Sequence, residues 1–353
     1  MHLRFLPALA LLLTALFTAP LRAEDTYSFG EGARGFIVRD YNEKLIAALK
    51  DAAAKPKHLD RFEKETVENT KKLQATLNGK CSAPGRAGVA EFVALGGVWP
   101  DEFLRCANLV DCWEGTFFKL EGSAQSADNF PNVTFGIVGF TSHDGSLQQF
   151  LKRANAASQG ALFKLARERL APADAADFEE LVNEYKLEDL PKNHAAFVKF
   201  AIRNPDDPAD EQEAKPEIAS MFKAFDSIPQ FRDIQLAATR KKCWADEVPD
   251  YRKHIFGTAE SRSLHTDLFC FDMTVLTDGP GKEQWRKLAK MTFKTDVERM
   301  QQVSAAMKES TEYDDDEDKR ADILERERCI IDGKGQVHLD EYDLHAFALL
   351  PVN

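Results

Sequence analysis

The sequence has no surplus of basic residues. Across 353 residues, 46 Lys and Arg stand against 58 Asp and Glu, a formal charge of −12. Binding to a phosphate backbone needs the opposite sign, so nucleic acid is not an expected partner. There is no CxxC pair, which argues against structural zinc. The eight histidines form no HExxH pattern, and no metal site is expected. GxSxG is absent, and with it the nucleophile elbow of the α/β-hydrolases. No internal repeat is visible. Beyond residue 23 no apolar run reaches membrane-spanning length, so no membrane span is expected. Nothing calls for a cofactor. What is present is a globular composition, 44% apolar and 29% charged.

The first 23 residues read as a secretory signal. Arg4 precedes an uncharged, Leu-rich run from Phe5 to Leu21, and Ala23 stands before Glu24 at the expected cut. The protein is therefore expected to be secreted or periplasmic. Loss of Arg4 and Arg22 takes the charge from −12 to −14, which would suit a cationic partner. The six cysteines are Cys81, Cys106, Cys112, Cys243, Cys270 and Cys329. An even number in an exported chain predicts at least one disulfide.

Three segments follow from the pattern: a signal over 1–23, a helical extension over 24–80 and a main domain over 81–353. Residues 38–80 read as helical with a break at Pro56. A helix is predicted around Asp101–Trp113. Residues 115–140 are β-branched, aromatic and punctuated by Gly, which predicts a small sheet. Helices then dominate: Gly145–Ala157, Gly160–Leu170, Ala175–Tyr185, His194–Ile202, Glu217–Phe225, Phe231–Val248 and Gln284–Lys308. Short strands are expected around Cys329–Ile331 and Val337–Leu339.

Two short patterns have bland readings. Gly30-Glu31-Gly32-Ala33-Arg34-Gly35 matches GxGxxG but follows no strand, so it reads as a flexible N-terminal segment. Asp314, Asp316, Asp318, Asp322 and Glu325 have calcium-loop spacing, yet Lys319 stands where the loop needs Gly. The cluster reads more simply as a solvated loop. Asn132-Val133-Thr134 is a glycosylation sequon only in a eukaryotic secretory pathway.

The informative window is 111–158. A helix ends in Cys112-Trp113-Glu114-Gly115, and Asp128-Asn129 lies on a polar turn. Glu114 sits beside Trp113 and near Phe117 and Phe118, where desolvation favours a protonated acid. Asp128 lies among Ser126, Asn129 and Asn132, which favour an ionised base. Two carboxyls in unlike surroundings are what glycoside hydrolysis requires. On spacing alone, both also fit ordinary helix-end and turn carboxylates.

Gly136-Ile137-Val138-Gly139-Phe140-Thr141-Ser142, followed by Gly and a helix, resembles the core motif of the chitosanases of glycoside hydrolase family 46. Glu114-Gly115, Asp128 and Thr134 also resemble the Glu-Gly, Asp and Thr of phage-type lysozymes. Phe269–Val275 with Asp278-Gly279, and Gly335–Leu344, resemble two later chitosanase segments. The likeness spans about residues 85–345.

The resemblance implies a mainly α, lysozyme-like fold of two lobes with a small sheet at the cleft. It implies Glu114 as acid, Asp128 as base and Thr134 as the residue orienting water in an inverting reaction. Asp144, Ser146 and Asp272 are the candidate substrate-binding residues. The chain departs from the chitosanase pattern in four ways. Asn129-Phe130-Pro131-Asn132 stands where the family has an Asp-Gly-Arg-Gly turn, and Ser146, with Asp144 two residues earlier, stands where it has a substrate-binding Asp. Glu114-Gly115-Thr116 replaces Glu-Asn-Ser, and chitosanase spacing back from Thr134 reaches Asn129, while phage-lysozyme spacing reaches Asp128.

The expected function is an endo-acting glycoside hydrolase on a β-1,4-linked amino-sugar polysaccharide, with chitosan first. The alternatives are a peptidoglycan-cleaving muramidase and a non-catalytic carbohydrate-binding or envelope protein on the same fold.

Overall fold

The computed structural model describes residues 26–77, 81–114, 120–123, 132–137, 139–205, 213–228, 230–277, 279–310 and 317–352. The expected signal, Asp128, Asn129 and Asp278 lie outside these residues. Among the described residues the protein is mainly helical with two small antiparallel sheets. In chain order come α1 (Phe36–Leu49), α2 (Lys64–Gln74), α3 (Val89–Ala94) and α4 (Glu102–Glu114). Strands β1 (Leu120–Ser123), β2 (Asn132–Phe135) and β3 (Phe140–Thr141) follow. Next are α5 (Ser146–Ala157), α6 (Ala161–Arg169), α7 (Pro172–Asn183), α8 (Leu190–Ala201), α9 (Pro216–Ala224) and α10 (Phe231–Thr239). A π-helical segment, Arg240–Glu247, leads into α11 (Val248–Phe256). The chain closes with α12 (Leu264–Leu276), α13 (Gly281–Leu288), α14 (Asp296–Lys308), α15 (Glu317–Asp332) and the hairpin β4 (Lys334–Val337) and β5 (Asp340–Asp343).

The chain divides into two compact units. The first takes residues up to Leu109, then Pro249–Met273 and Thr277 onward. The second takes Val110–Val248 and Thr274–Leu276.

The segment read as an N-terminal extension is built into the first unit. Phe29 is 1% exposed and bridges to both Ala87 and Phe347. Arg34 lies over the Tyr342 ring and pairs with Asp340 at 2.8 Å. The GxGxxG segment is likewise folded rather than flexible. Its Gly30, Gly32 and Gly35 amides donate to Ala346, Phe62 and Asp60 carbonyls, so they are not presented to a phosphate. Gly35, at φ +101°, starts α1, and a Cβ there would stand 2.5 Å from Asn108 Oδ1. That same oxygen accepts the Ile37 amide at 2.9 Å and so caps α1.

Helix α12 is buried almost all round, with Leu268, Phe269, Cys270 and Phe271 at 0% exposure. Two carboxylates on it are therefore inside the unit and paired. Asp267 meets Arg252 Nε at 2.7 Å, and Asp272 meets Arg326.

Sequence periodicity misplaced three elements here. Cys329–Ile331, expected as a strand, lies within α15. Gln284–Lys308 is broken into α13 and α14, and Thr295 caps the second by accepting the Glu298 amide at 3.1 Å. Of the expected strand Val337–Leu339, only Val337 is in β4; His338 and Leu339 form the turn, both at positive φ.

In the second unit, β1, β2 and β3 form a meander in that order. Phe135 on β2 packs against Phe150, Phe222, Phe225 and Phe231 from α5, α9, the turn after α9, and α10. This aromatic core fixes the sheet against the helices.

None of the six cysteines is in a disulfide, which corrects the expected bridge. Cys106, Cys243, Cys270 and Cys329 are buried at 0–1% exposure and serve as small apolar side chains. Burial pushes the Cys243 and Cys329 thiols up to about 12, which keeps them protonated. Among the described residues no helix is long and apolar enough to cross a membrane.

Candidate functional site

Glu114 is the last residue of α4 and is half-buried beside the buried Trp113. Thr134 lies on β2, the middle strand, where its register partners are Glu121 on β1 and Thr141 on β3. The Thr134 side chain is half-buried.

The β2–β3 connection is a tight turn. Gly139 donates to the Gly136 carbonyl at 3.0 Å, and Gly136 takes φ +83°. Gln235 on α10, fully buried, accepts the Ile137 amide at 2.9 Å. A side chain at Gly136 would meet the Gln235 amide at 2.7 Å, so this position needs glycine for both its backbone angle and its space. Ser142 then ties β3 back to β2. Its amide donates to the Val133 carbonyl at 2.9 Å, and its hydroxyl accepts the Val133 amide at 3.1 Å. That hydroxyl also lies 3.0 Å from His194 Nδ1. Ser142 is 0% exposed, so this Ser–His contact joins strands and helix in the core.

A polar corner follows at the start of α5. Asp144 Oδ1 accepts the Thr141 hydroxyl at 2.7 Å and the Ser146 amide at 2.8 Å. Ser146 Oγ in turn accepts the Thr141 amide at 2.9 Å. Asp144 is held below the ordinary aspartate range. Burial, the largest influence, pushes up; the Ser146 and Thr141 hydrogen bonds and nearby Lys242 together outweigh it. Lys242, from the π-helical segment, places Nζ 3.6 Å from Asp144 Oδ2.

The second unit thus holds Glu114, Thr134, Asp144 and Ser146, and joins the last two directly. Asp272 belongs to the first unit. It is 2% exposed there, with Arg326 Nε 3.0 Å from its Oδ1. It is a buried, paired carboxylate, at a position where the resemblance implied a substrate-binding residue. Gln235 and Lys242 were not singled out from the sequence. The RKK run at 240–242 carried the signal for a cation, but nothing local pointed it at Asp144.

The calcium reading also loses its geometry. Asp318, Lys319, Asp322 and Glu325 lie on helix α15, not in a loop; Asp314 and Asp316 are outside the described residues. Asp322 faces His338 Nε2 at 2.6 Å. Among the described residues, no group of three or more His, Cys, Asp or Glu is arranged to hold a metal.

No family model matches the chain, and no curated protein matches it. A solved structure titled "Chitosanase complex structure" is similar at 14% identity. The match covers 69% of this chain and 95% of that one, with a TM-score of 0.38. That score lies under the level that marks a shared fold.

Proposed function

We propose that the protein is a glycoside hydrolase of lysozyme-like architecture, acting on a β-1,4-linked amino-sugar polymer. The observation that carries this reading is the succession of site elements within the second unit. A helix ends in Glu114, an antiparallel meander with Thr134 on its middle strand follows, and then the polar corner of Thr141, Asp144 and Ser146. The resemblance of residues 136–142 to the chitosanase motif supports it. In this reading Glu114 donates a proton to the leaving glycosidic oxygen. Asp128 takes a proton from water, and Thr134 orients that water. Inversion needs carboxyls roughly 6.5–9.5 Å apart, so that water fits between base and sugar.

The test is release of reducing ends from chitosan and from peptidoglycan, assayed in parallel. Acid catalysis is worth about 10²–10⁴-fold, and Glu114→Gln is expected to lose that much. If Glu121→Gln abolishes turnover while Glu114→Gln retains it, the acid is misassigned. A product that keeps its anomeric configuration would exclude the inverting scheme.

The order of substrates has two sides. The acidity of the chain favours chitosan, whose ammonium groups would bind more weakly as salt rises. The Asp144–Lys242 pair supports the second reading, a muramidase acting on the acetylated glycan of peptidoglycan, because the carboxylate at the corner already has a cation.

A further inference from the structure

Asp144 is held rigidly at the start of α5 and is also accessible. Its Oδ1 is engaged by Thr141 and Ser146. Its Oδ2 is the oxygen turned toward Lys242, at 3.6 Å. The two side chains are 49% and 40% exposed, so a solute reaches both. The carboxylate does not depend on Lys242 for its orientation, because the strand end and helix start already set it. Lys242 comes from a different part of the unit. The π-helical segment that carries it continues α10, which the Gln235–Ile137 hydrogen bond ties to the same β2–β3 turn. π-Helical insertions tend to occur at functional positions.

An ammonium group thus already stands beside this carboxylate. A glucosamine ammonium approaching Asp144 must displace Lys242 or stand beside a like charge. A neutral acetamido group meets neither cost. The ion pair is solvent-exposed and weak, so the effect is a bias in preference rather than a block.

We propose that Lys242 is a specificity-determining residue. It occupies Asp144 as a built-in competitor and tilts the site from free amino sugars toward N-acetylated ones. The inference rests on the reading that this corner binds glycan.

The experiment measures binding of glucosamine hexamer and N-acetylglucosamine hexamer by titration calorimetry at two salt concentrations. The proteins are the full chain and its Lys242→Gln, Asp144→Asn and doubly substituted forms; reducing-end release by the wild type runs alongside. Lys242→Gln is expected to bind glucosamine hexamer tighter by up to about fivefold, the upper bound set by an exposed pair. The gain should shrink at high salt and vanish in the double variant, with the acetylated hexamer unaffected. An unchanged or weakened affinity for glucosamine hexamer in Lys242→Gln overturns the proposal, and so does an equal gain for both hexamers. If the wild type cuts a glycan while preference ignores Lys242, only this proposal falls. If the wild type neither binds a hexamer nor cuts a polymer, the glycan reading falls and this one with it.

Discussion

Arg326 and Asp272 face each other inside the first unit, with side chains 1% and 3% exposed and Nε 3.0 Å from Oδ1. Removing Asp272 takes a direct carboxylate contact from the buried Arg326, whose other partner Asp322 stands further off at 3.7 Å. Asp272→Ala is therefore expected to lose about 3–5 kcal/mol of stability, measured by urea unfolding. The fraction that folds should bind sugar oligomers as the wild type does. An Asp272→Ala protein of full stability that no longer binds them would mark this carboxylate as a ligand.

Glu327 on α15 is 1% exposed, and its carboxyl is pushed up to about 8. Burial is the main cause; the charge of Asp272 adds to it, and the nearby Ser304 hydroxyl opposes it. In the unfolded chain the group releases its proton near the ordinary value of 4.5. Between these values the folded state holds a proton that the unfolded state has lost. Stability from this group therefore falls as pH rises from about 4.5 to about 8 and is level above, at about 1.4 kcal/mol per pH unit within the window. Glu327→Gln keeps the shape and removes the titration. It should flatten that slope and add on the order of 3 kcal/mol near pH 7. Unfolding free energies at pH 5, 6.5 and 8 decide it, and an unaltered slope would count against the assignment.

The Gln235–Ile137 hydrogen bond should hold the β2–β3 turn in register. Gln235→Ala leaves a buried amide without its acceptor, a loss of about 1–3 kcal/mol. Gly136→Ala forces a side chain into positive φ and against Gln235, so it should cost at least as much as a strained glycine site normally does. Thermal unfolding measures both. Amide exchange at Ile137 should rise in Gln235→Ala, and protection equal to the wild type would show that the clamp is not needed.

The buried thiols make a direct test of the absent bridge. Reductant should leave the melting temperature unchanged, and six thiols should react with a thiol reagent in denaturant. Fewer than six, with a melting temperature that falls on reduction, would bring the expected disulfide back. The four buried cysteines should react only after unfolding, since thiolate and access are both needed.

Local pattern was enough for most of the helices and for the order of helix, sheet and helix around Glu114 and Thr134. These depend on apolar spacing, β-branched runs and Gly punctuation, which a sequence displays directly. The start of α5 was legible as well, because Gly145 and the residues that follow carry its signals. Residues 115–119 and 124–131, where the rest of the expected catalytic hairpin falls, lie outside the described residues.

What tertiary structure decided concerns burial and partners far along the chain. Asp272 stands in a run whose Phe269, Cys270, Phe271 and Met273 already read as apolar, but only the fold shows the carboxylate itself buried. Its cation comes from 54 residues further on. The cysteines count as an even set in an exported-looking chain, but only the fold shows four of them filling apolar space without bridging. Lys242 is one of three consecutive cations, and only the path of the π-helical segment brings it to Asp144. A sequence sets each side chain's chemistry and its local periodicity. Whether a carboxylate meets solvent, a core arginine or a surface lysine depends on chain segments that meet only when folded.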